Sequence, residues 1–312
     1  MLISIRPPDG IADYRALAEL LTVGGREAPD PQLLQAEDTQ VTPPAVRRRA
    51  VAVDAAGTLV GTSYIRSEPW MPIGQFDIFL VVAPAYRRLG IGAQLYTEAA
   101  AYAKASRATA LVTTLSDQVP EAQSFAKQHG FTLKQHWFYW ELALRDFQET
   151  PFLDALTQAQ ARGIRFLTLA DAGNTPEAHQ KLYDLNRQTS LEAPGEDSFP
   201  TFEEFLHDIV HASWFRPDSQ IVAADGERWI GLGAVGIDEQ RAFQAFTGVD
   251  REYRRQGLAL ALTLLSIRYA RQHNATHLEV FNDSRNTPMF RMQERMGYYR
   301  IPGRYIMQQA LG

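Results

Sequence analysis

The sequence predicts a mixed α/β protein, a mostly antiparallel sheet flanked by helices, built as two copies of one domain in tandem. Three observations carry this. First, VAPAYRRLGIGAQLYTEAAAYAKA returns later as VDREYRRQGLALALTLLSIRYARQ, so that Tyr86-Arg87-Arg88-Leu89-Gly90-Ile91-Gly92 faces Tyr253-Arg254-Arg255-Gln256-Gly257-Leu258-Ala259. Gly90 and Gly257 lie 167 residues apart, and the same spacing holds at Tyr102/Tyr269, Leu111/Leu278 and Gly130/Gly297. Second, a run of apolar, β-branched segments precedes that stretch in each copy, and a strand–helix–strand crossover follows it. Third, an amphipathic helix begins directly after the Arg/Gly turn both times.

The first copy spans 1–145 and the second 164–312, with 146–163 as a linker that is partly helical from Phe152 to Arg162. Residues 1–6 alternate as a strand, and Asp9 to Val23 has helical spacing behind an Asp cap. Arg48–Asp54 and Thr58–Arg66 form a hairpin about Ala55-Ala56-Gly57, and Phe76–Val82 is a strand running into the Arg/Gly turn. Gly90–Ser106 is a long helix, Ala110–Leu115 a strand, Pro120–His129 a helix closed by Gly130, and Phe131–Leu144 the last strands. The second copy repeats this with strands near 164–169, 220–225, 229–237, 242–249, 277–281 and 298–308. Its helices fall near 175–190, 201–212, 256–273 and 285–296.

Composition bounds the function. With 45% hydrophobic and 21% charged residues the chain has apolar material for two cores and resembles no disordered tract. Thirty-one Lys and Arg against 36 Asp and Glu leave a net charge of −5, so no broad basic face and no nucleic-acid partner are expected. The absence of Cys removes disulfides, thiol nucleophiles and cysteine-bearing metal sites. MLISIRPPDG has no charged leader or apolar core, and the longest apolar run, Leu258–Leu265, is broken by Thr263 and falls short of the ~20 residues a membrane span needs. A cytoplasmic protein without a membrane partner, monomeric or homodimeric, is the expectation.

A strand ending in two arginines, then glycines, then a helix suits an anion. Glycines admit close backbone approach, the first-turn N–H groups of the helix lack internal partners, and the helix dipole favours negative charge. A diphosphate fits such a cradle, with the arginines adding charge-assisted contacts. No Gly-x-x-x-x-Gly-Lys-Ser/Thr occurs, and Gly90-Ile91-Gly92 follows the fourth strand rather than the first, which disfavours a Rossmann dehydrogenase.

Arg87-x-x-Gly90-x-Gly92 and Arg254-x-x-Gly257-x-Ala259 resemble the acyl-CoA signature of the GCN5-related N-acetyltransferases, the GNAT superfamily, over nearly the whole chain. The tandem arrangement is similar to that of two-domain members, mycothiol synthase among them. The resemblance implies acetyl-CoA as cofactor and a small-molecule or peptide amine as acceptor; the alternatives are one catalytic and one structural copy, or a CoA-binding interaction protein without turnover. It places the CoA diphosphate on Arg87, Arg88, Leu89, Gly90, Ile91 and Gly92, and on Arg254, Arg255, Gln256, Gly257, Leu258 and Ala259. It sets the pantetheine beside Leu80, Val81 and Val82, and beside Thr247, Gly248 and Val249, on a strand that a bulge splays from its neighbour. Asn282 and Asn286, in Asn-Asp-Ser-Arg-Asn-Thr-Pro-Met, resemble the family's Asn-bearing loop. The positions of the family's thiolate-protonating Tyr hold Ala126 and Gln293, and Leu115 and Val119 replace the two asparagines in the first copy.

Amide formation requires a deprotonated amine, a donor to the thioester oxygen and a route for the thiolate's proton. Candidate catalytic carboxylates are Asp77 before the first cradle, Glu279 on the strand after the second, and Glu192 in Leu191-Glu192-Ala193-Pro194. The counterparts of the first two, Gln244 and Val112, cannot act as bases. The oxyanion donor is expected to be the backbone N–H of Val82 or Val249. His207 and His211 share a helix face at i and i+4, but Asp208 stands where a zinc-protease base would be and no third ligand is evident, so no metal is expected. Trp137-Phe138-Tyr139-Trp140 is expected in packing, and Trp70 and Trp214 are weaker candidates for acceptor pockets.

Overall fold

A computed structural model describes residues 2–23, 28–41, 43–69, 71–195, 198–238 and 241–311. It divides into two compact units, residues 1–134 with 305–312 and residues 135–304.

In the first unit β1 (Ile3–Arg6), β2 (Val46–Asp54), β3 (Leu59–Ser67) and β4 (Gln75–Val82) pair antiparallel in sequence order. Then β4 runs parallel to β5 (Ala110–Ser116) for three residue pairs, Gln75–Asp77 against Ala110–Val112, and no further. The end of the chain completes this unit: Leu311 donates its N–H to the Thr109 carbonyl at 2.8 Å, and Met307 is fully buried beside Phe131 and Leu111. Helix α1 (Gly10–Leu21) packs on β3, and α3 (Ile91–Ala105) lies across β3 and β4. The sequence analysis did not anticipate α2 (Pro31–Thr39). Its signal is local, since Asp30 accepts from the Gln32 N–H at 2.7 Å and Pro31 supplies a preset first-turn φ. Helix α4 (Pro120–Gln128) follows β5.

The second unit repeats the plan. Its strands are β7 (Arg165–Thr168), β8 (Gln220–Asp225), β9 (Arg228–Asp238), β10 (Arg241–Val249) and β11 (His277–Asp283). The parallel pair β10–β11 again spans three residues, Arg241–Phe243 against His277–Glu279. Flanking helices are α5 (Leu153–Ala161), α6 (Pro176–Ser190), α7 (Phe202–Phe205), α8 (Leu258–Gln272) and α9 (Thr287–Arg295). The helix expected over 201–212 is one α-turn, with a capping box between Thr201 and Glu204, continued by a π-type turn over Leu206–Val210.

At their ends the compact units depart from the repeat. Two long strands, β6 (Thr132–Ala143) and β12 (Tyr299–Ala310), each contribute to both. From residue 135 onward β6 belongs with the second unit, because Trp137–Ala143 pairs antiparallel with the whole of β11. The aromatic run finds its partners there: Trp137 and Tyr139 lie 5.2 and 5.3 Å from the Phe281 ring, and Phe138 stacks on Phe290 at 5.1 Å. Cross-strand aromatic pairs of this kind fix register as well as adding contact.

The two central helices differ as their sequences do. Helix α3 buries a single stripe, Ile91, Leu95, Ala99 and Ala103, whose small members let it lie close to the sheet. Helix α8 buries nine residues, from Leu258 to Ala270, because α5 covers the flank that α3 leaves open. LALALTLLSIRYA is apolar on nearly every side for that reason. No helix among the described residues is long and apolar enough to cross a membrane.

Candidate active site

The Arg/Gly segment folds identically twice. After a 3-10 turn the chain passes through left-handed arginines, Arg88 at φ 63° and Arg255 at φ 62°, then glycines Gly90 and Gly257, both at φ 81°, and enters the helix. A non-glycine residue held left-handed costs energy that the surrounding turn must offset. Two copies preserve it to within a degree. The preceding arginines are tied to the strand: Arg87 Nε donates to the Val82 carbonyl at 3.1 Å, and Arg254 Nε to the Val249 carbonyl at 2.9 Å. The turn leads into the first turn of the helix, whose N–H groups have no intrahelical acceptor.

Next to each turn the sheet opens. Beyond Asp77 and Phe243 the parallel pairs separate, leaving one edge of Ile78–Val82 and of Gln244–Val249 without a ladder partner. The N–H of Ala83 donates to Val60 and that of Asp250 to Ile230, so by strand alternation the N–H groups of Val82 and Val249 face the open side. A pantetheine arm, with its two amides, fits such an edge as an added strand would.

The two clefts differ in what stands in and beside them. In the first unit the Phe125 ring sits so close that a Cβ on Gly92 would lie 3.3 Å from it. The counterparts in the second unit are Ala259 and Met292. The register of β10 against β9 slips between Gln244 and Phe246, a bulge at Ala245, whereas β4 pairs with β3 without interruption from Asp77 to Val82. The bulge that the resemblance implied is therefore present in the second unit, and the first unit splays without one. It also shifts the pairing: a spacing of 167 would set Gln244 opposite Glu279, and Phe243 stands there instead.

Beside the bulge lies a cavity of about 380 Å³. One wall comes from α6 and the segment after it, with Leu182, Phe199, Phe205 and Trp214. The other comes from β6 and β11, with Trp137 and Phe281, and Gln244–Thr247 of β10 form the floor. Gly248 lets α6 approach that floor, for a Cβ there would lie 2.4 Å from the Thr189 hydroxyl. Polar atoms without partners gather here: Gln244 Oε1, Thr247 Oγ1 and Asn282 Nδ2 are buried and unbonded; outside the lining, both amide atoms of Gln293 on α9 are unbonded as well. Each costs about 1–3 kcal/mol unless something meets it. Among the described residues of the first unit the comparable atom is Asp38 Oδ1, whose carboxylate already pairs with Arg49. Among the described residues of the cavity lining, Asp283 is the ionisable group. Hydrogen bonds from the Arg285 side chain, at 2.7 and 2.9 Å, hold its carboxyl below the usual range despite burial.

The sequence model of the Acetyltransferase (GNAT) family matches residues 15–131 and 179–298, one stretch in each copy. The chain belongs to this family. Similar curated proteins include the mycothiol acetyltransferase of Acidothermus cellulolyticus, 26% identical over 70% of this chain and 67% of that one. Another is the mycothiol acetyltransferase of Geodermatophilus obscurus, 25% identical over 82% and 80%. Among solved structures, a GCN5-related N-acetyltransferase from Sphaerobacter thermophilus aligns over 99% of this chain and 95% of its own at TM-score 0.72 and 16% identity. A tandem GNAT protein from the clavulanic acid biosynthesis pathway aligns over 100% and 99% at TM-score 0.66 and 18% identity. The fold is a tandem GNAT fold, and the protein is an acetyl-CoA-dependent N-acetyltransferase.

The candidate residues of this GNAT chain scatter. Arg87–Gly92 and Arg254–Ala259 form the two turns, and Leu80–Val82 and Thr247–Val249 the two open edges. Asn282 and Asn286 line the cavity. The three carboxylates do not meet there. Asp77 stands at the closed end of the cleft, paired with Arg66 at 3.2 Å across the sheet surface. Glu279 is likewise at the closed end, opposite Phe243 and Glu141. Glu192 reaches the other way and forms an ion pair with Arg254, at the cradle. Gln244, set aside in the sequence analysis because it is no base, lies on the cavity floor, and so does Trp214 on its wall. Trp70 lies outside the described residues. His207 bonds Asp208 at 2.7 Å on the π-type turn, and no group of three metal-ligating side chains forms among the described residues. Trp137, expected in packing, lines the cavity. Nothing in a single sequence marks which aromatic of an alternating run faces a void.

Proposed function

We propose that acetyl transfer takes place in the cleft of the second unit, with the cavity beside β10 receiving the acceptor amine. The observation that carries this is the junction of a splayed strand edge, a bulge and a cavity with buried polar atoms that have no protein partner. When bound, acetyl-CoA supplies an activated acyl carbon: the acceptor nitrogen bonds to it as the C–S bond breaks, sulfur leaves with the bonding pair and gains a proton, and nitrogen loses one. The chain's own part is positional and electrostatic. Arg254, Arg255 and the N–H groups at Gly257–Ala259 hold the diphosphate. The open-side N–H of Val249 donates to the developing oxyanion, and the edge from Thr247 to Val249 aligns the arm. Orientation in a closed site supplies most of the rate, and water carries the protons.

That the relatives are mycothiol acetyltransferases supports an amine acceptor. Position-matched lesions test the assignment to the second unit. Ala259→Glu places a carboxylate in the first turn of α8 without changing backbone conformation, and Gly92→Glu does so in α3. With acetyl-CoA and a reactive amine, thiol release should disappear in Ala259→Glu and persist in Gly92→Glu. The reverse result assigns catalysis to the first unit.

A further inference from the structure

We infer that the acceptor is an arylalkyl primary amine that carries no carboxylate. This rests on the reading that the second unit is the transfer site, and deepens it. Six aromatic rings line the cavity: Trp137, Phe199, Phe205, Trp214, Phe246 and Phe281. They come from opposite walls, with Trp214 edge-on to Phe243 at 5.5 Å and Trp137 against Phe281 at 5.2 Å, so a flat ring entering between them meets aromatic surface on both sides. A cavity of about 380 Å³ has room for a one- or two-ring amine.

Part of the polar lining is engaged within the protein. Asn186 Oδ1 accepts from Ser190 at 3.0 Å, and Gln220 Nε2 donates to Ser219 Oγ at 2.9 Å. Asp283 is held by Arg285 and Gln135. Three unbonded atoms, Gln244 Oε1, Thr247 Oγ1 and Asn282 Nδ2, stand among six rings, so the lining meets a ring over more of its surface than a polyol. Thr247 Oγ1 and Asn282 Nδ2 are also unbonded, on β10 and β11; the first can donate and the second can only donate. Gln244 Oε1 is the one of the three that can only accept, which matches an amine N–H. Its amide nitrogen is anchored to the Phe246 carbonyl at 3.0 Å and Ser266 Oγ at 3.1 Å, which aims the oxygen, and the residue is only 5% exposed. It receives one N–H of the amine and directs the nitrogen lone pair away, toward the cleft.

The missing charge is as informative as the rings. Among the described residues no Lys, Arg or His lines the cavity, and the one carboxylate among those residues, Asp283, is already neutralised. An amine bearing a carboxylate would bury that charge without a counter-ion, which proteins avoid. The site therefore selects phenethylamine, tyramine or tryptamine against phenylalanine, tyrosine or tryptophan, where ring and amine are the same and only the carboxylate differs.

The test is a panel of kcat/KM values for the native protein with acetyl-CoA, comparing those three amines with the three amino acids and with glucosamine. The arylalkylamines should exceed their matched amino acids by ~100-fold or more, and glucosamine by a similar factor. An amino acid or glucosamine within tenfold of the best arylalkylamine overturns the inference, as does acetylation of none of the three. Repeating the panel with Ala259→Glu and with Arg254→Gln separates the two failures. If the preferred amine is charged or sugar-like and its turnover falls in both variants, the acceptor class is wrong and the site assignment stands. Turnover that survives both variants overturns the site assignment, and the inference with it.

Discussion

Glu192→Gln separates two chemistries by opposite results. Glu192 was a candidate base in the sequence, facing an acceptor amine. In the structure it is paired with Arg254, which the acetyl-CoA diphosphate is expected to need. The substitution keeps shape and removes one negative charge at the cradle. Both side chains are partly solvated, at 40% exposure for Arg254 and 31% for Glu192, so the pair is worth ~0.2–1 kcal/mol, the range of exposed ion pairs. Releasing Arg254 should therefore tighten acetyl-CoA by about 1.5- to 5-fold, at tenfold per 1.4 kcal/mol. The gain should shrink as salt is raised from 0.05 to 0.5 M (both as assay conditions, roughly halving or better the screening length). Calorimetric titration gives the affinity and thiol release gives kcat, which should change less than about twofold. A kcat loss of ~10²-fold or more, the usual cost of a missing general base, would refute the reasoning, as would weaker acetyl-CoA binding.

Three further outcomes follow from the site. Arg285→Met leaves the buried Asp283 carboxylate without its main partner. Breaking a buried pair costs about 3–5 kcal/mol, and discounting for the 61% exposure of Arg285 leaves roughly 1–3 kcal/mol, read as a lower thermal midpoint. Because the folded-state pKa of Asp283 is depressed, that stabilisation is complete above the unfolded value of about 3.9 and is lost as pH falls below it, so the gap between wild type and variant should close in acid. A gap that widens below pH 4 would be the wrong sign. With an amide at Gln244 and Asp283 already ionised, no group among the described residues of the lining titrates near neutrality, so log kcat/KM should climb with unit slope toward the acceptor's own pKa, about 10 for an alkylamine. An inflection at lower pH that does not move when the acceptor is changed would reveal an enzymic base. Finally, Gln293→Leu removes two buried, unbonded amide atoms and should raise the thermal midpoint of the ligand-free protein by about 2–4 °C per kcal/mol while reducing the further rise on adding acetyl-CoA. An unchanged acetyl-CoA-induced rise would place Gln293 outside the ligand's reach.

The sequence by itself determined most of the elements, though not α2, together with the duplication and the two Arg/Gly turns. These are local facts: Gly90 and Gly257 announce a left-handed turn, the helix after each is written in its apolar spacing, and a constant spacing of 167 carries one reading onto the other. Family membership was legible in the same residues. Tertiary structure decided what long-range pairing controls. Strand β6 follows α4 in the chain yet pairs with β11, because its aromatic run meets Phe281 and Phe290, so the compact units end elsewhere than the repeats. Three carboxylates looked equivalent on paper. Register set Asp77 and Glu279 at the closed ends of their clefts, and a loop turned Glu192 onto Arg254. The bulge at Ala245 is a slip of one residue between two strands that a linear pattern does not record, and it brings Gln244, a residue without acid–base chemistry, to the floor of the cavity. Side-chain type and spacing specify a backbone; which of those side chains share a void depends on how strands far apart in the chain come into register.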